Sequence, residues 1–460
     1  MRVLIIGCGL ALLLVPTLGD TVTTAATPQL NVPSPCIAEK LPVPTTDTAA
    51  LDQRLRNVRH LQLTAIYYPG IAPVSYANRY YVPTNSTNPK SSDGDKVTVP
   101  AALDIRVVAW GAPGYGGSGV PSDVSSPAPN ASVVSIAATS YAFVAVLSNG
   151  GVRSWGTVNG AGVFDSVPSD LVNPMPEHRV VSIAANTYAF AAVLANGAVR
   201  TWGAHYFGGH YVPSDVASPA PGAGIVRIVS TDLAFAALLE TGAVRAWGES
   251  SINSGGVLSV GPQATVPADV ANPAPGARVA SIISNGGAYA VRLENGAVRT
   301  WGSTQFGGSG VPSDVASPAP GAGVVSIASS GSSNFGGAFA VILENGGVRA
   351  WGGQNLGGSG VPSDVVSPTE GARVVSIASN AYAFAAQLEN GAVRAWGDSS
   401  KGGSTALSPW PDVANPTTGR RVVRIVAAEY AGFAALLENG GVNAWGYMMG
   451  ATFSPSNGVP

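Results

Sequence analysis

The feature that most constrains the fold of this chain is a repeated dipeptide. Trp-Gly occurs eight times, at intervals of 45 to 54 residues. A period of this length is typical of repeat architectures, in which each unit is one supersecondary element that buries its apolar faces against its neighbours. We therefore expect a single repetitive array. The series holds eight of the nine tryptophans: Trp110, Trp155, Trp202, Trp247, Trp301, Trp351, Trp396 and Trp445.

Each repeat contains three short apolar runs separated by turn residues. In the unit that ends at Trp202, the runs are 179–184, 188–194 and 198–202, and a Gly-rich loop with the segment 212–216 follows. Short β-branched and aromatic runs bounded by Gly, Pro and Asn indicate strands. Pro213 has no backbone N–H and suits an edge or a turn. We predict three or four antiparallel strands per unit, with 212–216 as a weak outer strand or turn.

The turn between the second and third runs is Asn-Gly in six repeats and Thr241-Gly242 in one. Asn-Gly between apolar runs is a strong hairpin signal, and it favours a type I′ turn with positive φ at both central residues. Stacking such units hides their apolar faces, and closing the circle removes the terminal faces. The predicted fold is therefore all-β, a seven-bladed β-propeller of short antiparallel blades.

Ring closure leaves one ambiguity. The second run occurs seven times, whereas Trp-Gly occurs eight times. Either the run at 105–110 or the run at 442–445 is redundant, or one of them closes the last blade.

The N-terminus differs from the repeats. Arg2 precedes an apolar run, 3–15, that is too short to span a bilayer and is followed by small residues. We predict a signal peptide at 1–19, a Pro/Thr-rich extension at 20–103, and the propeller at 104–460. The expected localisation is secreted or cell surface, with no membrane span after cleavage.

Composition excludes several classes of function. With 24 basic and 26 acidic side chains, the net charge is −2 and no basic stripe supports nucleic-acid binding. There is no sequence signature of an active site, phosphate loop or zinc site. His205 and His210 flank one loop, but two histidines without further ligands favour a solvated loop over a metal site. We expect no enzymatic activity, no catalytic residue, no metal and no cofactor.

Two further patterns recur in phase with the tryptophans. Asp123, Asp170 and their equivalents in Pro-Ser-Asp segments either line a channel mouth or act in turns, and the turn role is favoured. An arginine two residues before Trp, such as Arg349, lies diagonal to a glutamate before the Asn-Gly turn, such as Glu344. This pattern predicts a structural Glu–Arg–Trp ladder.

The unit Val-Val-x-Ile-Ala, an aromatic–small–apolar strand, Asn-Gly-x-Val-Arg-x-Trp-Gly and a Gly-rich loop resembles the regulator-of-chromosome-condensation (RCC1) repeat. The resemblance covers residues 105 to about 450 and implies a seven-bladed propeller. In style the chain is similar to secreted short-repeat members, one of which is a bacterial protein inhibitor of β-lactamase. The intracellular exchange-factor role of the founding member would apply only if there is no signal peptide. Phe143, Phe190 and Phe384 replace the family's usual His.

Variation between repeats marks the candidate binding surface. The position just before the second run carries tyrosine in several units, and tyrosine supplies contact area at low entropy cost. These residues are expected to share one rim, with insertions at 250–265 and 329–336 as further loops. We predict a monomer that binds an extracellular protein there, with carbohydrate as the alternative ligand and packing as the alternative role. The predicted binding residues are Tyr141, Tyr188, Leu233, Tyr382 and Tyr430.

Overall fold

The computed structural model describes residues 107–111, 115–128, 130–156, 166–252, 258–332, 335–404, 413–430 and 432–446. These residues form seven three-stranded antiparallel sheets, which we call blades 1 to 7 in chain order. In every blade the second strand is central. All blades lie in one compact unit. The predicted signal peptide and the whole of the predicted N-terminal extension lie outside the described residues.

The strands are numbered β1 to β23 along the chain. Blades 1 to 3 comprise β1–β3 (Val133–Ala138, Ala142–Leu147, Val152–Gly156), β4–β6 (Val180–Ala185, Ala189–Leu194, Val199–Gly203) and β7–β9 (Ile225–Ser230, Ala234–Leu239, Val244–Gly248). Blades 4 and 5 comprise β12–β14 (Val279–Ser284, Ala288–Leu293, Val298–Gly302) and β15–β17 (Val324–Ser332, Gly336–Leu343, Val348–Gly352). Blades 6 and 7 comprise β18–β20 (Val374–Ser379, Ala383–Leu388, Val393–Gly397) and β21–β23 (Val422–Ala428, Gly432–Leu437, Val442–Gly446).

The Pro-Ser-Asp segments form single helical turns between blades, not a fourth strand. Pro before each turn fits because the first helical N–H groups have no partner within the helix. The turns are Ser122–Ser125, Ser169–Val172, Ser214–Ala217, Ala268–Ala271, Ser313–Ala316 and Ser363–Val366. Short 3₁₀ turns lie at Pro176–His178, His205–Phe207, Pro262–Ala264, Thr304–Phe306, Gln354–Leu356 and Ser399–Lys401.

The core lies between the blades. Central strands such as β5 and β8 are buried at every residue, because both of their faces pack against neighbouring sheets. One apolar cluster, for example, joins Val144 of blade 1 to Phe190 and Trp202 of blade 2. The first strands of successive blades lie against one another and surround the centre. Seven blades in this arrangement make the all-β, seven-bladed propeller that the repeats predict.

The hairpin turns differ from the type I′ prediction. In blade 1 the Gly150 N–H donates to the Leu147 carbonyl (2.8 Å), and the Leu147 N–H donates to Gly151. Only the glycine has positive φ, at 81°. The connection is therefore a three-residue loop with a left-handed glycine. Asn149 contributes through its side chain, which accepts the Gly151 N–H at 2.9 Å. A threonine hydroxyl accepts the corresponding N–H beside Gly242 at 3.4 Å, so asparagine is not essential there.

In six blades the repeated tryptophan donates its indole N–H to a carbonyl of the loop before that blade. In blade 6 the Trp396 indole N–H donates to the Gly357 carbonyl at 3.0 Å, and the indole stacks on Phe384 with ring centroids 5.4 Å apart. Gly357 has φ of +93°, and a Cβ there would lie 2.5 Å from the Phe384 ring. This loop therefore requires glycine for both conformation and space.

The repeated arginines pair with aspartate, so the predicted Glu–Arg ladder is wrong. In blade 5 the Arg349 Nε donates to the Asp314 carboxylate at 2.7 Å, and one Nη donates to the Val366 carbonyl at 2.9 Å. Equivalent pairs occur in blades 1 to 4 and in blade 6. Each arginine therefore joins the helical turns before and after its own blade. These aspartates serve as turn anchors, as favoured from sequence.

The closure ambiguity is resolved in favour of the C-terminal strand. Val442–Gly446 is the third strand of blade 7, and Trp445 is buried and stacked on Phe433. Residues 107–111 form no strand, and Trp110 is 59% exposed. The two predicted insertions are hairpin elaborations. One is the separate pair β10 (Ser250–Ile252) and β11 (Leu258–Val260), and the other lengthens β15 and β16.

Candidate functional site

The loops between the first and second strands of the blades lie at one end of the propeller, which we call the rim. The predicted binding residues all come from these loops, because each lies one or two residues before the second strand. The structure brings four of the five into two aromatic groups.

The first group spans blades 1 and 2. Tyr141 stacks on Tyr188 with centroids 5.7 Å apart, and both rings are half-buried. Tyr115 extends the stack from the other side of Tyr141 (5.6 Å), and Phe207 lies 4.7 Å from Tyr188. Tyr115 is 47% exposed. The result is a row of four rings along the rim.

The second group spans blades 5 to 7. Tyr382 is buried, at 6% exposure, and meets Tyr430 edge-on at 5.4 Å. Tyr430 is exposed, and so is Phe335 at the tip of the lengthened hairpin, 6.1 Å from Tyr382. The Lys401 ammonium lies 5.8 Å from the centre of Tyr382 and 5.2 Å from that of Tyr430. Tyr382 is thus the buried ring that lies against the exposed rings of Phe335 and Tyr430.

Leu233 is half-buried in blade 3 and belongs to neither group. Blades 4 and 5 have Gly287 and Gly337 at this position, so the loops of blades 3 to 5 contribute no aromatic side chain there. The first group lies in blades 1 and 2, and the second lies in blades 5 to 7. We call these rings the aromatic arc.

Buried asparagines hold the arc in place. Asn186 Oδ1 accepts the backbone N–H groups of Tyr188 (2.8 Å) and Ala189 (2.7 Å), and its Nδ2 donates to the Phe207 carbonyl (2.6 Å). One side chain therefore fixes two neighbouring rings of the first group. Asn380 acts in the same way between Tyr382 and Lys401 in the second group.

The rim surrounds a polar cavity of about 460 Å³ at the end of the central channel. Its lining is mostly Ser, Thr, Asn and Gly from blades 2 to 7, together with Asp232, Glu429 and Tyr430. Among the described residues that line it there is no Lys or Arg. Partial burial in this mouth raises the pKa of the Glu429 carboxyl above its usual value.

Hydrogen bonds between blades fix the cavity wall. The Ser284 hydroxyl donates to the Ser230 carbonyl at 2.7 Å, and the Ser329 hydroxyl donates to the Ser284 carbonyl at 3.1 Å. The Asp232 N–H donates to the Gly286 carbonyl at 2.9 Å. Below the wall, burial raises the pKa of the Tyr289 phenol well above its usual range, and its hydroxyl lies 3.5 Å from that of Thr231. The mouth is thus a preformed structure.

His205 and His210 lie close together, with ring centroids 5.0 Å apart. Within the described ranges no group of three or more His, Cys, Asp or Glu side chains is arranged to hold a metal ion. In the same residues no helix is long and apolar enough to cross a membrane.

Sequence reasoning missed Tyr115, Phe207, Phe335 and Lys401. Three of them precede a Gly-Gly pair after a Trp-Gly dipeptide, at positions held by Tyr115, Phe207, Phe306, Leu356 and Lys401. The aromatic bias at this position is visible in the sequence. Its proximity to the tyrosines of the adjacent blades is not, because it depends on the path of the Gly-rich loop in three dimensions.

Several solved structures are similar to this chain. Yeast RCC1 (Prp20), solved bound to Kap60, is 19% identical, with 68% of this chain and 80% of that chain covered and a TM-score of 0.34. The ectodomain of the receptor kinase CR4 from Physcomitrella patens is 15% identical (68% and 73% covered, TM-score 0.33). Human WBSCR16 is 17% identical (69% and 87% covered, TM-score 0.35).

No family model and no curated protein matches the chain. Because the identities and TM-scores are low, the seven sheets themselves establish the propeller fold. The predicted likeness to RCC1-repeat propellers is confirmed at that level, since yeast RCC1 is among the similar structures. The likeness to secreted inhibitors stays a prediction.

Proposed function

We propose that this chain is a secreted, non-enzymatic scaffold that binds an extracellular protein through the aromatic arc. The observation that carries the proposal is the clustering of exposed rings in two groups on one rim, with Tyr115, Phe335 and Tyr430 each at least 47% exposed. Contiguous apolar surface bordered by polar groups marks interaction sites, and aromatic residues are enriched at the energetic centres of protein interfaces. The predicted signal peptide supports the extracellular location.

The distribution of rings favours a protein over a carbohydrate. A lectin-like propeller would repeat a similar shallow site in several blades, whereas a protein partner needs one contiguous patch. Blades 3 to 5 lack an aromatic side chain at the tyrosine position, so the same tyrosine site is not repeated in every blade. The asparagine frames keep the rings ordered, which reduces the entropy lost when a partner binds.

The test is a pull-down with residues 20–460 against extracellular proteins. The matched variant is Tyr115→Ala/Phe335→Ala/Tyr430→Ala, which changes exposed side chains and spares the buried Tyr382. The control is Met175→Ala/Val181→Ala/Val226→Ala, which changes three residues outside the arc that are 61–62% exposed. We expect capture by the parent and the control and loss in the arc variant. Equal capture by all three proteins would refute the arc as the binding surface.

A further inference from the structure

The cavity enclosed by the rim is acidic, a property that is separate from the apolar surface of the aromatic arc. Its described lining carries two carboxylates, Asp232 of blade 3 and Glu429 of blade 7, and no basic group. Its volume of about 460 Å³ falls within the range of small-ligand pockets and is ample for an inserted side chain. The mouth is therefore polar and acidic, and it is open to a side chain that enters from the rim.

The aromatic arc is a second feature that favours a positively charged group. Ring faces attract cations within about 6 Å of the centroid. Lys401 already places its ammonium at this distance from Tyr382 and Tyr430. Tyr430 and the neighbouring Glu429 both line the cavity, so a basic group that enters here reaches an aromatic and an acidic residue of the same loop.

On these grounds, and resting on the proposed function, we propose that the protein partner inserts a loop bearing an arginine or lysine into the channel mouth. The basic head group lies against Tyr430 and near the Glu429 carboxylate, with Asp232 adding negative charge elsewhere in the mouth, while the flanking residues of the loop pack on the aromatic arc. Charge complementarity of this kind sets specificity and association rate more than total affinity. The arc thus supplies contact area, and the mouth selects the partner by charge.

The experiment titrates the full chain with three short peptides, acetyl-Gly-Arg-Gly-amide, acetyl-Gly-Lys-Gly-amide and acetyl-Gly-Gln-Gly-amide, followed by saturation-transfer NMR. We expect both basic peptides to bind more tightly than the glutamine peptide. Glu429→Gln should weaken the basic peptides about two- to fivefold, as for a partly exposed charge pair, and leave the glutamine peptide unchanged. Lys401→Met should strengthen the basic peptides by removing a like charge from the two rings.

The control variant is Glu344→Gln, which neutralises an exposed carboxylate beside the Asn-Gly turn of blade 5, far along the strand from the rim. It should leave all three affinities unchanged. Equal affinity for the three peptides, or no response to Glu429→Gln together with Asp232→Asn, would overturn the inference. That result is separable from failure of the proposed function, because the pull-down uses aromatic variants that leave both carboxylates intact.

Discussion

Replacing Asn380 by alanine should destabilise the fold and disorder the second aromatic group. The side chain is 5% exposed and makes three hydrogen bonds: it accepts from the Tyr382 and Ala383 N–H groups and donates to the Lys401 carbonyl, all at 2.8–2.9 Å. Each buried group left without a partner costs about 1–3 kcal/mol, less where water reaches it. We therefore expect Asn380→Ala to lower the free energy of unfolding by about 2–4 kcal/mol.

Threonine is the matched control because blade 1 carries Thr139 at the equivalent position. The Thr139 hydroxyl accepts the N–H groups of Tyr141 (3.2 Å) and Ala142 (3.0 Å). Asn380→Thr should therefore retain two of the three hydrogen bonds and cost only about 1 kcal/mol. The assay is urea denaturation followed by tryptophan fluorescence. If the alanine variant is as stable as the threonine variant, the asparagine frame does not stabilise the rim.

Three further predictions concern the fold and the mouth. Gly357→Ala should lower the free energy of unfolding by at least about 2 kcal/mol more than Gly360→Ala does, measured by thermal or urea unfolding. Both glycines have positive φ, but only a Cβ at Gly357 would collide with an aromatic ring. Equal losses of stability would refute the steric argument. Arg349→Ala should destabilise by about 1–3 kcal/mol, since it removes an ion pair and a hydrogen bond to the half-buried Val366 carbonyl, whereas Glu344→Ala should change stability by less than about 0.5 kcal/mol. A larger effect of Glu344→Ala in the same assay would favour the glutamate–arginine pairing instead. Partial burial raises the pKa of the Glu429 carboxyl above 4.5 in the folded protein, so its ionisation lowers the stability of the fold as pH rises. Thermal melts should therefore show Glu429→Gln gaining stability relative to the parent from about pH 4 to about pH 7. A difference between the two proteins that does not change with pH would contradict the shift.

Much of the fold could be predicted because its determinants are local and repeated. The spacing of Trp-Gly and Asn-Gly indicates strand and hairpin positions, and seven copies of the pattern leave few architectures. The predicted type I′ turn was wrong because Asn-Gly is compatible with two loop geometries. The flanking register selects the three-residue form, in which Gly150 alone is left-handed. Register across a loop depends on both strands and is not read from the dipeptide.

The partners of the repeated arginines could not be predicted from the sequence of one hairpin alone. Arg349 and Glu344 are diagonal on one hairpin, so the sequence favours their pairing. The arginine instead reaches Asp314, 35 residues earlier, in the helical turn that follows the outer strand of blade 4. Similarly, the tyrosines could be assigned to one rim. The stacking of Tyr115 on Tyr141 depends on how a Gly-rich loop crosses between blades, which no periodicity specifies.

The most direct test of the binding account is a hydrogen-exchange footprint of the captured partner on the full chain. Slowed exchange is expected in the rim loops that contain Tyr141, Tyr188, Tyr382 and Tyr430, and in the hairpin tip at Phe335. The Asn-Gly turns at the opposite end should exchange as in the free protein. Protection centred on those turns, with the rim unchanged, would contradict the account and place the partner on the other face of the propeller.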